Sequence, residues 1–401
     1  MKSGWQLRNL SEVCLIKPPK LEARQKLKND DFVSFMPMED LGISEKYALP
    51  LQTRRLGEVQ GSYTYFREGD VLLAKITPCF ENGKLGIAKD LTNGVGFGSS
   101  EYIVFRPDAS LENEWLFYFL SQSSFREEGA ARMMGAVGHK RVSKDFIESY
   151  SIPVPPLPEQ RRIVAILDEA FAGIATAKAN AEKNLQNARA LFESHLYSVF
   201  TRRPDELALS ELASDVTDGD HSPPPKAPTG VPFITISNII KRTREIDFSN
   251  TFTVPADYFQ NLKPNKKPRV GDILYTVTGA TLGIPVLVRE PRDFCFQRHI
   301  GLIRPKPETD SAWLTYALLS PQVFRQATVG STGAAQKTVS LSVLRNLKIP
   351  KISLPEQKRT AATLDALSAE TQGLEAVYRQ KLTALDELKK SLLHQAFSGE
   401  L

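Results

Sequence analysis

The fold is decided by a stretch that occurs twice, LPEQRRIVAILDEAF at 157–171 and LPEQKRTAATLDALS at 354–368. The offset between the copies is 197 residues, and the same offset aligns Phe200 with Phe397. Upstream the likeness is looser but continues, because GDVLLAKIT from Gly69 corresponds to GDILYTVTG from Gly271. Repetition of this kind predicts that the chain consists of two copies of one unit.

Each repeated stretch opens a segment with the pattern of a long coiled-coil helix. Pro158 and Pro355 suit a first helical turn. Apolar or small residues then recur at spacings of three and four, with Lys389 as an interruption in the second copy. The predicted seam of the first helix is Ile163, Leu167, Ala170, Ile174, Ala177, Ala181, Leu185, Ala188, Phe192, His195 and Val199, and that of the second is Leu364, Leu367, Thr371, Leu374, Tyr378, Leu382, Leu385, Leu392 and Ala396.

A helix of about 43 residues is about 64 Å long, and its apolar seam needs a partner. The obvious partner for the seam of each long helix is the seam of the other long helix. The two helices are expected to run antiparallel if the ends of each intervening block lie near each other.

The two blocks outside the helices look like mixed domains of strands and a few helices. GDVLLAKIT, GDILYTVTG, EYIVFRP and HIGLIRP read as strands, and the segments around Trp115 and Trp313 read as amphipathic helices. The sequence therefore predicts an α+β fold, in which two mixed α/β domains are joined by two long antiparallel coiled-coil helices in a pseudo-twofold internal repeat. The predicted boundaries are 1–157 for the first domain, 158–200 for the first helix, 201–353 for the second domain and 354–401 for the second helix.

Composition restricts the class of protein. The 401 residues carry a net charge of +5, and Cys14, Cys79 and Cys295 are too scattered for a disulfide framework or a zinc site. No apolar run approaches the ~20 residues that cross a bilayer, so a cytoplasmic protein without a membrane contact is expected.

No pattern for catalysis is present. The sequence contains no Gly-x-x-x-x-Gly-Lys-Ser/Thr loop, no Gly-x-Ser-x-Gly elbow and no His-Glu-x-x-His pair. We therefore expect no catalytic residue and no metal ligand, and a subunit that binds while its partners supply the chemistry. Loops rich in Gly, Ser, Thr, Lys, Arg and His, among them GVGFGSS from Gly94 and STGAAQKTVS from Ser331, carry donors and acceptors that match base edges and phosphates.

The chain resembles the specificity subunits of Type I restriction-modification systems. The paired Leu-Pro-Glu-Gln helices carry the resemblance, together with HQAFSGEL from His394 and DGDHSPPP from Asp218. It implies that each mixed domain is a target recognition domain that reads one half of a split sequence in double-stranded DNA. It also implies that the helices act as a spacer and dock two methyltransferase subunits, which bind S-adenosylmethionine. Motor or nuclease (restriction) subunits can join such a complex.

The resemblance implies two sets of contact residues. The candidates for DNA binding are Lys75, Thr77, Lys84, Ser99, Ser100, His139, Lys140, Arg141, His221, Thr278, Thr281, Gln297, Arg298, His299, Gln336 and Lys337. The candidates for partner binding are Glu159, Gln160, Arg161, Arg162, Glu356, Gln357, Lys358 and Arg359. The alternative is a coiled-coil adaptor that binds proteins and has no DNA specificity.

Overall fold

The computed structural model describes residues 2, 4–43, 45–136, 138–201, 205–221, 224–331 and 337–401. Contacts between residues divide the chain into two units. Unit 1 comprises residues 1–182 and 380–401, and unit 2 comprises residues 183–379. Each long helix contributes one part to each unit.

Unit 1 contains a five-stranded sheet in the order β2-β10-β7-β8-β4, a four-stranded sheet in the order β5-β3-β9-β6, and the pair β1-β11. The strands are β1 Gln6–Asn9, β2 Cys14–Ile16, β3 Phe32–Met36, β4 Tyr47–Ala48, β5 Gln52–Arg55, β6 Thr64–Arg67, β7 Val71–Ala74, β8 Leu85–Ala88, β9 Val95–Gly98, β10 Tyr102–Pro107 and β11 Ser151–Val154. The short helices are α1 Leu10–Val13, α2 Leu21–Lys26, α3 Leu56–Val59, α4 Asn113–Leu120, α5 Ser123–Ala131 and α6 Lys144–Ser149.

Unit 2 repeats this plan with a four-stranded sheet in the order β13-β21-β18-β19, a three-stranded sheet β17-β14-β20, and the pairs β12-β22 and β15-β16. The strands are β12 Glu206–Ala208, β13 Ala213–Asp218, β14 Val231–Ile234, β15 Ile239–Ile240, β16 Glu245–Ile246, β17 Phe252–Val254, β18 Ile273–Thr276, β19 Pro285–Leu287, β20 Cys295–Phe296, β21 Ile300–Pro305 and β22 Lys348–Pro350. The short helices are α8 Leu209–Leu212, α9 Ala256–Gln260, α10 Ser311–Leu319, α11 Pro321–Val329 and α12 Leu341–Arg345.

The long helices are α7, Leu157–Phe200, and α13, Leu354–Ser398. No helix in the described part of the chain is long and apolar enough to cross a membrane.

A buried ion pair supports the same strand pairing in both units. Gly69 and Gly271 adopt φ values of 81° and 90°, which a residue without Cβ tolerates, and each turn presents an aspartate ahead of β7 or β18. The guanidinium of Arg106 on β10 donates to both carboxylate oxygens of Asp70 at 2.8 Å. Arg304 on β21 donates to Asp272 at 2.9 and 2.7 Å. The repeated Gly-Asp and Arg-Pro dipeptides therefore fix equivalent strands in each unit.

The helices pack antiparallel within each unit, as predicted. In unit 1, Arg162 donates to the carbonyl of Leu401 at 2.8 Å and Lys178 donates to Asp386 at 2.7 Å, so the residue number falls on α13 as it rises on α7. In unit 2, Arg189 donates to Glu375 at 3.3 Å, while Leu196 and Leu364 share one core cluster. The predicted α+β fold with two long antiparallel helices is confirmed.

The predicted seams agree closely with the observed burial, with two differences on α13. Every predicted seam residue of α7 is buried or half-buried. On α13, Leu374 is 38% exposed and the stripe passes through the neighbouring Glu375, which pairs with Arg189. Ser368 is buried in preference to Leu367. Polar pairing therefore displaces part of the apolar seam.

The segment GVGFGSS was expected to be a loop, and that expectation is wrong for its first half. Val95–Gly98 form the buried strand β9, which pairs with both β3 and β6. A Cβ on Gly96 would lie 2.2 Å from the Phe66 ring, so glycine is required by close packing.

Candidate nucleic-acid interface

Three loops of unit 1 meet beyond the carboxyl end of β7. The amide of Lys75 donates to the carbonyl of Glu101 at 2.9 Å, and its carbonyl accepts from the amide of Val142 at 3.0 Å. The amide of Thr77 donates to the carbonyl of Lys140 at 2.9 Å. The backbone therefore brings together six predicted DNA-binding residues that are far apart in sequence: Lys75, Thr77, Ser100, His139, Lys140 and Arg141.

A carboxylate lies among the cations of this loop cluster. Arg141 donates to both oxygens of Glu101 at 2.9 and 2.7 Å, and the Lys75 ammonium lies 3.8 Å from the same carboxylate. The Arg141 hydrogen bonds hold the pKa of Glu101 below its usual value. Burial lowers the pKa of Lys75, and the nearby cations Lys17 and Arg141 lower it further against the effect of Glu101. The cluster is cationic with one internal counter-ion.

The predicted residues of this cluster differ in availability. Ser100, His139 and Lys140 are exposed, and within the described residues no hydrogen bond or ion pair holds the side chains of His139 and Lys140. Thr77, Ser99 and Lys84 support the loops instead. The Thr77 hydroxyl donates to the Lys140 carbonyl at 3.2 Å, the Ser99 hydroxyl accepts from the Glu101 amide, and Lys84 donates to the Met38 carbonyl at 2.7 Å.

Unit 2 has the same backbone frame at the equivalent place. The amide of Val277 donates to the carbonyl of His299 at 3.0 Å, and the Val277 carbonyl accepts from the amide of Val339 at 2.8 Å. These are the counterparts of the Lys75–Glu101 and Val142–Lys75 bonds. The frame again follows the carboxyl end of a central strand, here β18.

The side chains on the second frame are different from those on the first. Arg298 and Lys337 are exposed, and Gln297 and His299 are partly exposed. Where unit 1 has Lys75 and Glu101, unit 2 has Val277 and His299, so the second frame lacks the internal carboxylate. Gln336, which was also predicted to bind DNA, lies outside the described residues.

Two predicted threonines of unit 2 point inward, which corrects their assignment as contacts. Thr278 is 3% exposed, and its hydroxyl donates to the Lys337 carbonyl at 3.2 Å. The Thr281 hydroxyl is shielded from solvent and has no hydrogen-bond partner in the described structure. His221 lies 2.7 Å from the Asp218 carboxylate and remains largely exposed.

Gln160 and Gln357 were predicted to contact partner subunits, and the structure corrects this prediction. Gln160 is fully buried: its carbonyl oxygen accepts from the Glu112 amide at 2.8 Å, and its amide donates to the carbonyls of Ser110 and Pro155, both at 2.8 Å. Gln357 is 3% exposed, accepts from the Asp310 amide at 2.8 Å and donates to the Ile352 carbonyl at 3.0 Å. Each glutamine fastens the first turn of a long helix to its own domain.

The other residues in these first turns remain accessible. Glu159 pairs with Lys2 at 3.0 Å and with Arg162 at 2.7 Å, and these hydrogen bonds lower the pKa of Glu159 to about 2. Arg161 is 68% exposed and pairs with Glu112 at 2.7 Å. Lys358 and Arg359 are exposed, and Glu356 is half-buried.

Sequence reasoning missed Lys17 and the tyrosine–aspartate contacts of the helices. Lys17 has a φ of 58° and reaches the loop cluster because β2 pairs with β10, which no local pattern indicates. Tyr118 donates to Asp168, and Tyr316 donates to Asp365 at 2.7 Å. The repeated Leu-Asp dipeptides, which contain Asp168 and Asp365, were a usable sequence signal for these tyrosine–aspartate contacts.

Comparisons with known proteins agree with this architecture. The family model described as "Type I restriction modification DNA specificity domain" matches residues 2–186 and 221–384. The specificity subunit of the Type I restriction enzyme EcoEI from Escherichia coli is 39% identical over 165 residues. That match covers 41% of this chain, and the chain spans only 27% of the length of that relative.

Two solved structures are similar in fold. A chain from a study of complex assembly and conformational transition of the type I R-M system has a TM-score of 0.80 and 21% identity, covering 100% of this chain and 99% of the other. The HsdS subunit from Thermoanaerobacter tengcongensis has a TM-score of 0.68 and 21% identity, with coverages of 100% and 98%.

The family model covers both copies of the internal repeat and well over half of the residues. The chain belongs to the family of Type I restriction modification DNA specificity domains.

Proposed function

We propose that this chain is the sequence-specific DNA-recognition subunit of a Type I restriction-modification complex. In this proposal each unit reads one half of a bipartite, gapped target, and the long helices dock two methyltransferase subunits. The chain itself catalyses nothing. S-adenosylmethionine is bound by the methyltransferase subunits, restriction subunits join the complex, and the assembly acts on DNA in the cytoplasm.

One observation carries the proposal beyond family membership. The same backbone frame follows β7 and β18, yet it presents Lys75, Glu101 and Arg141 in one unit and Val277, His299 and Thr338 in the other. Two domains that recognise different DNA sequences can share one backbone frame but need different side chains on it, because base edges are distinguished by their donors and acceptors. A coiled-coil adaptor without DNA specificity would have no need of this arrangement, and family membership gives that alternative no support.

The loop side chains fit the two parts of DNA recognition. Exposed cations such as Lys140, Arg298 and Lys337 are suited to phosphates, which fix register on the duplex. His139, Gln297 and His299 are suited to base edges. Thr278 supports its loop through the hydrogen bond to the Lys337 carbonyl, and the shielded Thr281 hydroxyl makes no DNA contact in this proposal.

Salt-dependent binding tests the proposal. The complex with methyltransferase subunits is titrated with DNA by fluorescence anisotropy at several salt concentrations, for the wild type, Lys140→Gln and the control Arg8→Gln, whose cation pairs with Glu12. We expect log K to fall linearly with log salt, and Lys140→Gln to reduce the slope by about 0.9 for one lost phosphate contact. Binding that is indifferent to salt, or equal slopes for all three proteins, would refute DNA recognition through this cluster.

A further inference from the structure

In each unit a cation lies near the aspartate of a long helix. In unit 1, Lys46 donates to both oxygens of Asp168 at 2.8 and 2.7 Å and lies 3.1 Å from Glu114. Lys89 lies over the Tyr47 ring at 4.2 Å. The Lys46 cation therefore has two carboxylate partners.

The corresponding position of unit 2 has lost one of these carboxylates. Arg244 and Ala312 correspond to Lys46 and Glu114 at the offset of 198 residues that also relates Trp313 to Trp115, and Arg289 follows β19 as Lys89 follows β8. Within the described residues Arg244 makes no ion pair, and its guanidinium donates only to the Ser368 hydroxyl at 3.3 Å. The remaining aspartate, Asp365, accepts from Tyr316 and lies 3.9 Å from Arg289. At these positions the second unit therefore has two cations, Arg244 and Arg289, and one carboxylate, whereas the first unit has two of each.

These residues line a pocket of about 450 Å³, a volume typical of small-molecule sites. Arg292 also lines the pocket, with its guanidinium 4.1 Å from the centroid of the Phe248 ring. Glu245 and Glu290 lie at the pocket, but neither forms an ion pair with an arginine in the described part of the chain. The pocket is therefore lined by three arginines and three carboxylates, and among the described residues only Asp365 lies within ion-pair distance of one of these arginines.

Two further observations indicate that the pocket is suited to an oxyanion. Thr243 is one of the lining residues, and its hydroxyl is shielded from solvent and has no hydrogen-bond partner among the described residues. Burial lowers the pKa of Arg244, and the neighbouring Arg289 lowers it further against the opposite effects of Tyr316 and Asp365, so a bound anion would favour the charged guanidinium. Guanidinium groups bind phosphate oxygens with paired hydrogen bonds, and a hydroxyl adds a donor.

We propose that this pocket of unit 2 binds the phosphate group of a small solute. DNA is not the source, because the pocket and the backbone frame of unit 2 lie at opposite ends of β18. The amide of Val288 beside Arg289 donates to the carbonyl of Asp272 ahead of that strand, whereas Val277 and His299 follow its carboxyl end. The site is independent of DNA recognition and goes beyond it.

The repeat supplies the decisive variant. Ala312→Glu returns to unit 2 the carboxylate that unit 1 has at Glu114, and this carboxylate should pair with Arg244 and exclude phosphate. Arg244→Gln removes the central donor. Arg298→Gln is the matched control, since Arg298 is an exposed arginine next to His299 in the backbone frame of unit 2.

Inorganic phosphate is titrated into the full chain at constant ionic strength, with binding followed by calorimetry and by the melting temperature. We expect saturable binding by the wild type and by Arg298→Gln, and at least a tenfold loss of affinity in Arg244→Gln and Ala312→Glu. Ala312→Glu should melt no lower than the wild type without phosphate, so that its loss of binding is not a loss of folding.

Absence of saturable binding in the wild type would overturn the proposal, as would undiminished affinity in Ala312→Glu. Acetate binding as tightly as phosphate would overturn the choice of a phosphate group. A loss of affinity in Arg298→Gln equal to that in Arg244→Gln would place the bound phosphate at the backbone frame of unit 2 and also contradict the proposal.

Discussion

Glu101 shows how a single side chain controls the charge that the first loop cluster offers to DNA. Its carboxylate accepts two hydrogen bonds from the Arg141 guanidinium and lies near the Lys75 ammonium, so neither cation is fully available to a DNA phosphate. Because the hydrogen bonds from Arg141 lower the pKa of Glu101, the carboxylate stays ionised well below neutral pH. Its contribution to stability is present above the usual glutamate pKa and is lost as the pH falls through the lowered value.

Glu101→Gln is therefore expected to raise the affinity of the complex for non-specific DNA, by roughly three- to tenfold at low salt, since one further cation can reach a phosphate. The gain should be equal at pH 6 and pH 8, because Glu101 is charged at both. Anisotropy titrations measure it, with Glu12→Gln as a control that frees Arg8 outside the cluster. An unchanged or lower affinity would show that Glu101 does not restrain these cations.

Gln160 and Gln357 carry a second prediction at the scale of the residue. Each is buried with all of its hydrogen bonds made to the backbone of its own domain, so truncation leaves buried amides and carbonyls without partners. We expect Gln160→Ala and Gln357→Ala each to lower the free energy of unfolding by about 2–4 kcal/mol. Arg161→Ala, at the exposed neighbouring position, should change it by less than about 0.5 kcal/mol.

Chemical denaturation measures these differences. Because Gln160 belongs to unit 1 and Gln357 to unit 2, hydrogen exchange should locate the loosened region in a different unit for each variant. If Gln160→Ala were as stable as Arg161→Ala, the glutamines would not fasten the helices to their domains.

The sequence drew attention to Gln160 and Gln357 but did not show what these residues do. It shows that Gln160 and Gln357 are repeated, and the resemblance to specificity subunits implies that they belong to a docking surface. Only the folded chain shows that the loop before α4 or α10 approaches closely enough to bond with the glutamine. Lys17 and Glu101 were missed for the same reason, since strand pairing between distant segments brings them into the cluster.

At the scale of the element, periodicity was a good guide to helices and a weaker guide to their polar contacts. The seam of α7 was predicted almost residue by residue. On α13 the burial of Glu375 and Ser368 in preference to Leu374 and Leu367 depends on hydrogen bonds and ion pairs, which a pattern of apolar residues does not encode.

Lys389 is the residue where the seam of α13 is least favourable. Its ammonium lies 5.2 Å from the centroid of the Phe171 ring, and burial lowers its pKa, with Lys178 and Arg126 adding to the effect. A lysine whose folded pKa is lowered costs stability while it is charged, and the cost declines as the pH rises toward its usual value.

We therefore expect Lys389→Leu to raise the free energy of unfolding by about 1 kcal/mol at pH 7, because apolar burial outweighs a cation–ring contact of about 0.5–1 kcal/mol. The gain over wild type should shrink at pH 10. Denaturation at both pH values measures it, with the exposed Lys390→Leu as the control. A destabilised Lys389→Leu protein would show that the ring contact dominates.

At the scale of the whole molecule, the repeat predicted the two-copy plan, the antiparallel helices and the equivalent strands. The loops could not be predicted in this way, because their side chains differ between the copies and their frames are set by backbone bonds between distant segments. The same difference is the basis of the proposed function, in which one frame is used twice to read two sequences.

The most direct test of this account replaces residues 201–353 with the corresponding block of another family member and determines the target by selection from random DNA with the assembled complex. The account predicts that one half of a gapped sequence changes while the other half is retained. If both halves changed together, or if the selected sequences were unaltered, the assignment of one half-site to each unit would be wrong.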